Sequence, residues 1–188
     1  CLDVKEDETV LVLNDSKDDE IIYPLIEVLA DRGVEYPLIV FEQPESHGEE
    51  PPEHISEAVK VFDVVIAPTM KSLSHTDARK EANKKGTRVA TLPTVDREIW
   101  NSSLEADYQR VKEITEKVYS ILEQASQVRV TTPSGTDLSF KVDIETYHND
   151  TGILNDEGAF GNLPAGEPNG YPEKLNGTLM LDHFPFSP

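Results

Sequence analysis

Short runs of aliphatic residues alternate with stretches of helical periodicity through the first 125 residues. This is the pattern of a parallel sheet covered by helices on both faces. Thr9 to Asn14 is a continuous apolar run closed by Asn14-Asp15-Ser16, and it predicts a buried strand. From about Asp19 to Arg32, Ile22, Leu25, Ile26 and Leu29 recur on one helical face, and Gly33 marks the stop. Further strands are expected at Tyr36 to Phe41, Phe62 to Ala67 and Arg88 to Leu92. The Pro/Glu/Gly-rich loop Glu42 to Pro52 precedes a short helix carrying Ile55, Ala58 and Val59. The predicted class is therefore α/β, a parallel Rossmann-like sheet with helices on both faces, followed by a β-rich segment. Right-handed crossovers would gather the loops after the strands along one edge, where such sheets bind ligands.

Asp107 to Ala125 is the longest helical pattern, with an apolar stripe of Val111, Ile114, Val118, Ile121 and Leu122. That stripe could pack on the sheet or against another copy of the chain, and a homodimer is the expected assembly. Beyond it, Gln127 to Thr132 and Asp137 to Asp143 alternate on either side of a Pro133-Ser134-Gly135-Thr136 turn, which predicts a hairpin. Glu145 to Glu173 has little periodicity and much Gly, Asn and Pro, and Leu179-Met180-Leu181 reads as the start of another strand. Two domains are expected, an α/β domain over residues 1–125 and a β-rich segment over 126–188 that begins a metal-binding domain.

Charge narrows the choice of partners. The 188 residues carry 36 Asp and Glu against 17 Lys and Arg, a net charge of −19 spread along the chain, which argues against nucleic acid and anionic membrane as partners. A single cysteine, Cys1, allows no internal disulfide, and no apolar run approaches a membrane span, so a cytoplasmic protein is expected. Cys1-Leu2-Asp3-Val4 reads as the tail of a helix rather than a lipid attachment site. Neither a Gly-x-Gly-x-x-Gly nor a P-loop pattern follows any predicted strand, and no Gly-x-Ser-x-Gly nucleophile is present.

The candidate chemistry sits late in the chain. In Gly161-Asn162-Leu163-Pro164-Ala165-Gly166-Glu167-Pro168, two prolines and two glycines surround Glu167, so its carboxylate should project from a rigid, irregular turn suited to a metal or a substrate. Ser74-His75-Thr76-Asp77 reads as a helix start with Ser74 as N-cap and His75 in the first turn. Backbone N–H groups there would attract an anionic substrate group, which makes His75 and Ser74 candidate substrate-binding residues. His148, His183 and Asp137 read as surface or turn residues.

Gly161 to Glu167, together with Ser72 to Arg79, Gly135-Thr136-Asp137-Leu138 and Asn176-Gly177-Thr178, resembles the aminopeptidase T family of metallopeptidases in order and approximate spacing. The same segments are similar to the mononuclear iron dihydroxypyridine dioxygenases. The first resemblance implies a two-metal hydrolase of zinc, cobalt or manganese that removes N-terminal residues from small peptides, with Glu167 as a metal ligand. Its other ligands, a second Glu and a late His/Asp group, would lie beyond residue 188. The second resemblance implies a single iron that opens an aromatic ring, with Glu167 beside the metal rather than on it. A module that binds a small molecule or a partner without catalysis remains a third reading.

Overall fold

A computed structural model describes residues 1–16 and 20–181. Its elements run β1 (Val10–Asn14), α1 (Ile22–Asp31), β2 (Leu38–Val40), α2 (Glu53–Ala58), β3 (Val64–Ala67), α3 (Asp77–Lys84), β4 (Arg88–Thr91) and α4 (Arg97–Ile99). A π-helical turn, Trp100–Leu104, leads into α5 (Tyr108–Gln124). Then follow β5 (Gln127–Thr131), β6 (Asp137–Lys141), β7 (His148–Asp150), β8 (Phe160–Asn162), β9 (Glu167–Asn169) and β10 (Leu175–Thr178). The chain divides into two compact units, one of residues 1–112 with 152–166, the other of residues 113–151 with 167–188; the division falls inside α5.

The first unit holds a five-stranded sheet in the order β2-β1-β3-β4-β8, and all of its pairings are parallel. This is the expected α/β class. β1 is its centre: Val10 to Leu13 are fully buried because alternate side chains enter two apolar layers. Val10 and Val12 pack with Ile22, Leu25 and Leu29 of α1, whereas Leu11 and Leu13 pack with Ile55 of α2 and Ala78 and Ala82 of α3. Each buried Val, Leu or Ile among these contributes about 1.5–3 kcal/mol relative to leaving it in water. α1 ends where Gly33 was expected to stop it, with Val34 N–H donating to Leu29 O at 3.0 Å.

Thr9 and Asp63 fasten the start of β1 to β3. The Asp63 carboxylate accepts from Thr9 N–H (2.7 Å) and Thr9 Oγ1–H (2.8 Å). These bonds, the backbone one first, hold its pKa below the ordinary 3.8. A depressed carboxyl pKa stabilises the fold above the ordinary value and loses that contribution as pH falls through the folded value. Asp63→Asn is therefore expected to lower the melting temperature at pH 7 and to flatten its fall below about pH 4, as read by thermal melts across pH.

The second unit holds a three-stranded antiparallel sheet, β10-β6-β5, and a two-stranded ribbon, β7-β9. The predicted hairpin is present as β5 and β6. Asp137 opens β6 and takes a bidentate ion pair from Arg129 at 2.8 and 2.7 Å. Both side chains are exposed, so the pair adds little stability.

Several local expectations need correction. Cys1 to Lys5 is irregular rather than helical, and Leu154 N–H donates to Cys1 O at 2.8 Å. The stretch Glu145 to Glu173 supplies three short strands, one of them β8 at the edge of the parallel sheet. Among the described residues the last strand is β10, ahead of Leu179-Met180-Leu181. On α5, Ile114, Val118 and Ile121 of the apolar stripe stay exposed. Asp19, the expected first residue of α1, and His183 lie outside the described residues.

Candidate functional site at the strand ends

Parallel strands bring the C-terminal ends of β1, β3, β4 and β8 to one edge of the first unit, where two polar clusters form. One follows β1. Asn14 and Asp15 are 3% and 4% exposed. The Asp15 carboxylate accepts from Met70 N–H (2.6 Å) and Lys71 N–H (3.0 Å), which ties the loop after β1 to the loop after β3. Beside them a cavity of about 240 Å³ opens between Asn14, Thr69, Ile22, Leu92, Thr94 and Val95.

The second cluster joins β4, β8 and the turn before α3. Thr91 and Asn162 are register partners, and Thr91 Oγ1–H donates to Asn162 Oδ1. Ser74 Oγ–H donates to the same oxygen at 2.6 Å, and Ser72 Oγ lies 2.7 Å from Ser74 Oγ. Two hydroxyl donors on Oδ1 orient the carboxamide and leave its Nδ2 without a partner among the described residues. Thr91 is fully buried, so Thr91→Val removes a donor without changing volume and is expected to cost about 1 kcal/mol, with Thr91→Ser close to wild type. Urea denaturation of the two variants checks this.

Of the residues singled out from sequence, Ser74 is buried in this network and His75 beside it is exposed. The N-cap of α3 is Thr76, two positions later than expected, with Thr76 Oγ1 accepting from Arg79 N–H at 3.3 Å. His75 accordingly precedes the helix. The open N–H groups expected at this helix start are already engaged, because the Glu50 carboxylate accepts from Asp77 N–H and from Ala78 N–H (3.1 Å). The same loop grips the turn elsewhere: Ser72 N–H donates to His47 Nδ1 at 3.1 Å and Gly48 N–H to Ser72 O at 2.8 Å. Arg79 closes the arrangement by donating from Nε to Ser74 O (2.8 Å) with its guanidinium 4.1 Å from the Phe160 ring centre.

Glu167 belongs to the second unit, where it opens β9 with an exposed side chain, its Oε1 3.5 Å from Asn169 Nδ2. The turn before it is irregular as expected, with a cis Leu163–Pro164 peptide and Gly166 at φ 141°, an angle that other residues rarely adopt. Gly161 has a different reason to be glycine, since a Cβ there would meet Leu154 Cδ2 at 2.9 Å. Ribbon register sets Asp150 opposite Glu167 and His148 opposite Asn169. The His148-x-Asp150 spacing thus shares a ribbon face with Glu167, a relation that becomes visible only once β7 and β9 are paired. Even so, no three His, Cys, Asp or Glu side chains among the described residues form a group able to hold a metal ion.

Against this geometry, a family model described as NicX, 2,5-dihydroxypyridine 5,6-dioxygenase, matches residues 1–184. The chain belongs to that family. The solved structure of 2,5-dihydroxypyridine dioxygenase from Pseudomonas putida KT2440 is similar, with a TM-score of 0.64 and 18% sequence identity. The match covers 87% of this chain and 50% of that one, so this chain spans about half the length of its solved relative. At that identity the likeness establishes the fold. No curated protein matches.

Family membership overturns the aminopeptidase T reading. The terms aminopeptidase, hydrolase and metalloprotease go with it, as do zinc, cobalt and manganese as its metals. Among the described residues no helix is long and apolar enough to cross a membrane.

Proposed function

We propose that this chain serves a ring-cleaving dioxygenase whose substrate is a dihydroxylated pyridine, 2,5-dihydroxypyridine in the first instance. The observation that carries this reading is the family match over residues 1–184. The fold agrees with it: the sheet's strand-end edge has polar clusters and a cavity but none of the Gly-rich phosphate loops of a nucleotide enzyme. Iron is the metal this reading calls for; bound, it would activate dioxygen and the ring together. The described residues do not by themselves assemble a metal-holding group.

What the described residues offer such a reaction is positioning. A planar hydroxylated ring needs donors for its oxygens and apolar walls for its faces. The Asn162 amide, held by Ser74 and Thr91, is a fixed donor of this kind, and so is the Asn14 amide beside Leu92 and Ile22. Rigid donors lose little entropy when they engage a ligand.

The test uses the full polypeptide, loaded with ferrous iron under anaerobic conditions and then given 2,5-dihydroxypyridine and dioxygen. Loss of the ring's ultraviolet absorbance with equimolar oxygen uptake is expected, and no release of leucine from leucyl peptides. An iron-loaded protein that consumes neither ring nor oxygen would refute the proposal.

A further inference from the structure

Asparagine is followed by glycine at two places in the chain, Asn169-Gly170 and Asn176-Gly177, and the fold treats the two differently. Glycine leaves the peptide nitrogen after an asparagine unshielded, since it has no side chain to bar that nitrogen from the neighbouring carboxamide. Asn176 lies in β10, whose four residues are all exposed. Among the described residues β10 pairs with β6 alone and so forms the outer edge of its sheet. Leu175 beside it is 61% exposed, and the Asn176 carboxamide has no hydrogen-bond partner among the described residues. A strand with one ladder and no buried side chain opens at little cost.

Gly177 cannot give way to a residue that would shield the peptide. It holds φ 126°, and an added Cβ would stand 2.1 Å from Asp137 O and 2.7 Å from Leu138 Cα. The close approach of β10 to β6 thus demands the one residue that leaves Asn176 open to its own backbone. Asn169 is held far more firmly. It is half-buried, pairs with His148 across the ribbon, and has its Nδ2 3.5 Å from Glu167 Oε1. The Tyr147 ring lies against Gly170, where an added Cβ would meet its Cδ2 at 2.4 Å. One residue on, Tyr171 N–H donates to Thr146 Oγ1 at 3.2 Å, and Thr146 Oγ1–H donates to Tyr171 O at 3.1 Å.

We propose that Asn176 is a site of spontaneous deamidation, attacked by the peptide nitrogen of Gly177, and that the ribbon protects Asn169 from the same reaction. The Gly177 nitrogen gives up its proton to base and bonds to Asn176 Cγ. The bond from Cγ to Nδ2 breaks, and the amide nitrogen leaves as ammonia. Water then opens the resulting succinimide at either carbonyl, which yields aspartate or isoaspartate, and no oxidant or reductant takes part. Either product adds a carboxylate to a surface whose net charge is already −19. Isoaspartate also lengthens the main chain of β10 by one methylene, which breaks its register with Ser139 and Leu138 of β6.

The reaction is independent of the proposed ring cleavage, and its test needs no turnover. The full polypeptide is kept in warm, mildly alkaline buffer, with and without urea, and the conversion at each asparagine is followed over time by peptide mapping and mass spectrometry. In the folded protein, Asn176 should convert about tenfold faster than Asn169, the ratio that an added local opening cost at the ribbon would impose. In urea, where neither site keeps its tertiary contacts, the two rates should come within about threefold of each other. Asn176→Gln should abolish conversion at position 176, because closure would then need a larger ring, while leaving the melting temperature and the slow conversion at Asn169 unchanged. Equal rates in the folded protein, faster conversion at Asn169, or a tenfold difference that persists in urea would each overturn the inference.

Discussion

Replacing Arg88 by Met is expected to destabilise the protein by about 3 kcal/mol or more, the cost of stranding one half of a buried ion pair. Arg88 opens β4 and is only 5% exposed. Its Nη2 lies 2.5 Å from Glu8 Oε2, and its Nη1 donates to Leu2 O. Met keeps much of the packing of the aliphatic stem but leaves the Glu8 carboxylate with Lys5 N–H as its remaining partner, at 2.8 Å. Glu8 is partly exposed, so water recovers some of the loss and the effect falls near the lower end of the range for buried pairs. Urea denaturation should show a lower midpoint at unchanged slope. Adding Glu8→Gln should return part of the stability, because no uncompensated charge then remains. A single variant within about 0.5 kcal/mol of wild type would show that the pair contributes nothing net.

Gly158→Ala should cost a comparable amount, about 2–4 kcal/mol, through sterics alone. Gly158 sits at φ 71°, which penalises any side chain, and an added Cβ would stand 2.5 Å from the backbone oxygen of Asn83. Neither neighbour yields readily. Gly158 N–H is bonded to Gly86 O at 2.8 Å, and Asn83 Nδ2 donates to both Thr87 O and Ala159 O. Relief would have to come from the loop that delivers β8, so the substitution should disturb Asn162 as well as global stability. Amide hydrogen exchange of β8 separates the two effects: faster exchange at Phe160 to Asn162 than in β1 is expected. Uniform exchange across both strands would place the damage elsewhere.

Both positions show where sequence reading reaches its limit in this protein. Arg88 stands at the head of a recognisable strand, yet nothing near it in sequence announces Glu8, eighty residues away. The α3 turn shows the same limit. Ser74 and Thr76 both fit an N-cap locally, and the choice fell to Thr76 because Ser74 Oγ is committed to Asn162, 88 residues on. Glu50, in a loop with no periodicity, satisfies the helix N–H groups that an external anion was expected to meet.

What the sequence alone determined is the class of fold and its centre. The unbroken run at β1, the periodic face of α1, the strands around Val64 and Arg88, and the hairpin at β5 and β6 are all written in local periodicity. Each segment must bury its own apolar face whatever its neighbours are. Tertiary structure decided the rest. β8 is three residues long and holds its place only by pairing with β4, so no local pattern could reveal it. The cavity beside Asn14 depends on which strands flank β1, and the shared face of His148, Asp150 and Glu167 on the pairing of β7 with β9. Such features arise from contacts between residues far apart in the chain, and their energetics appear only after the chain has closed on itself.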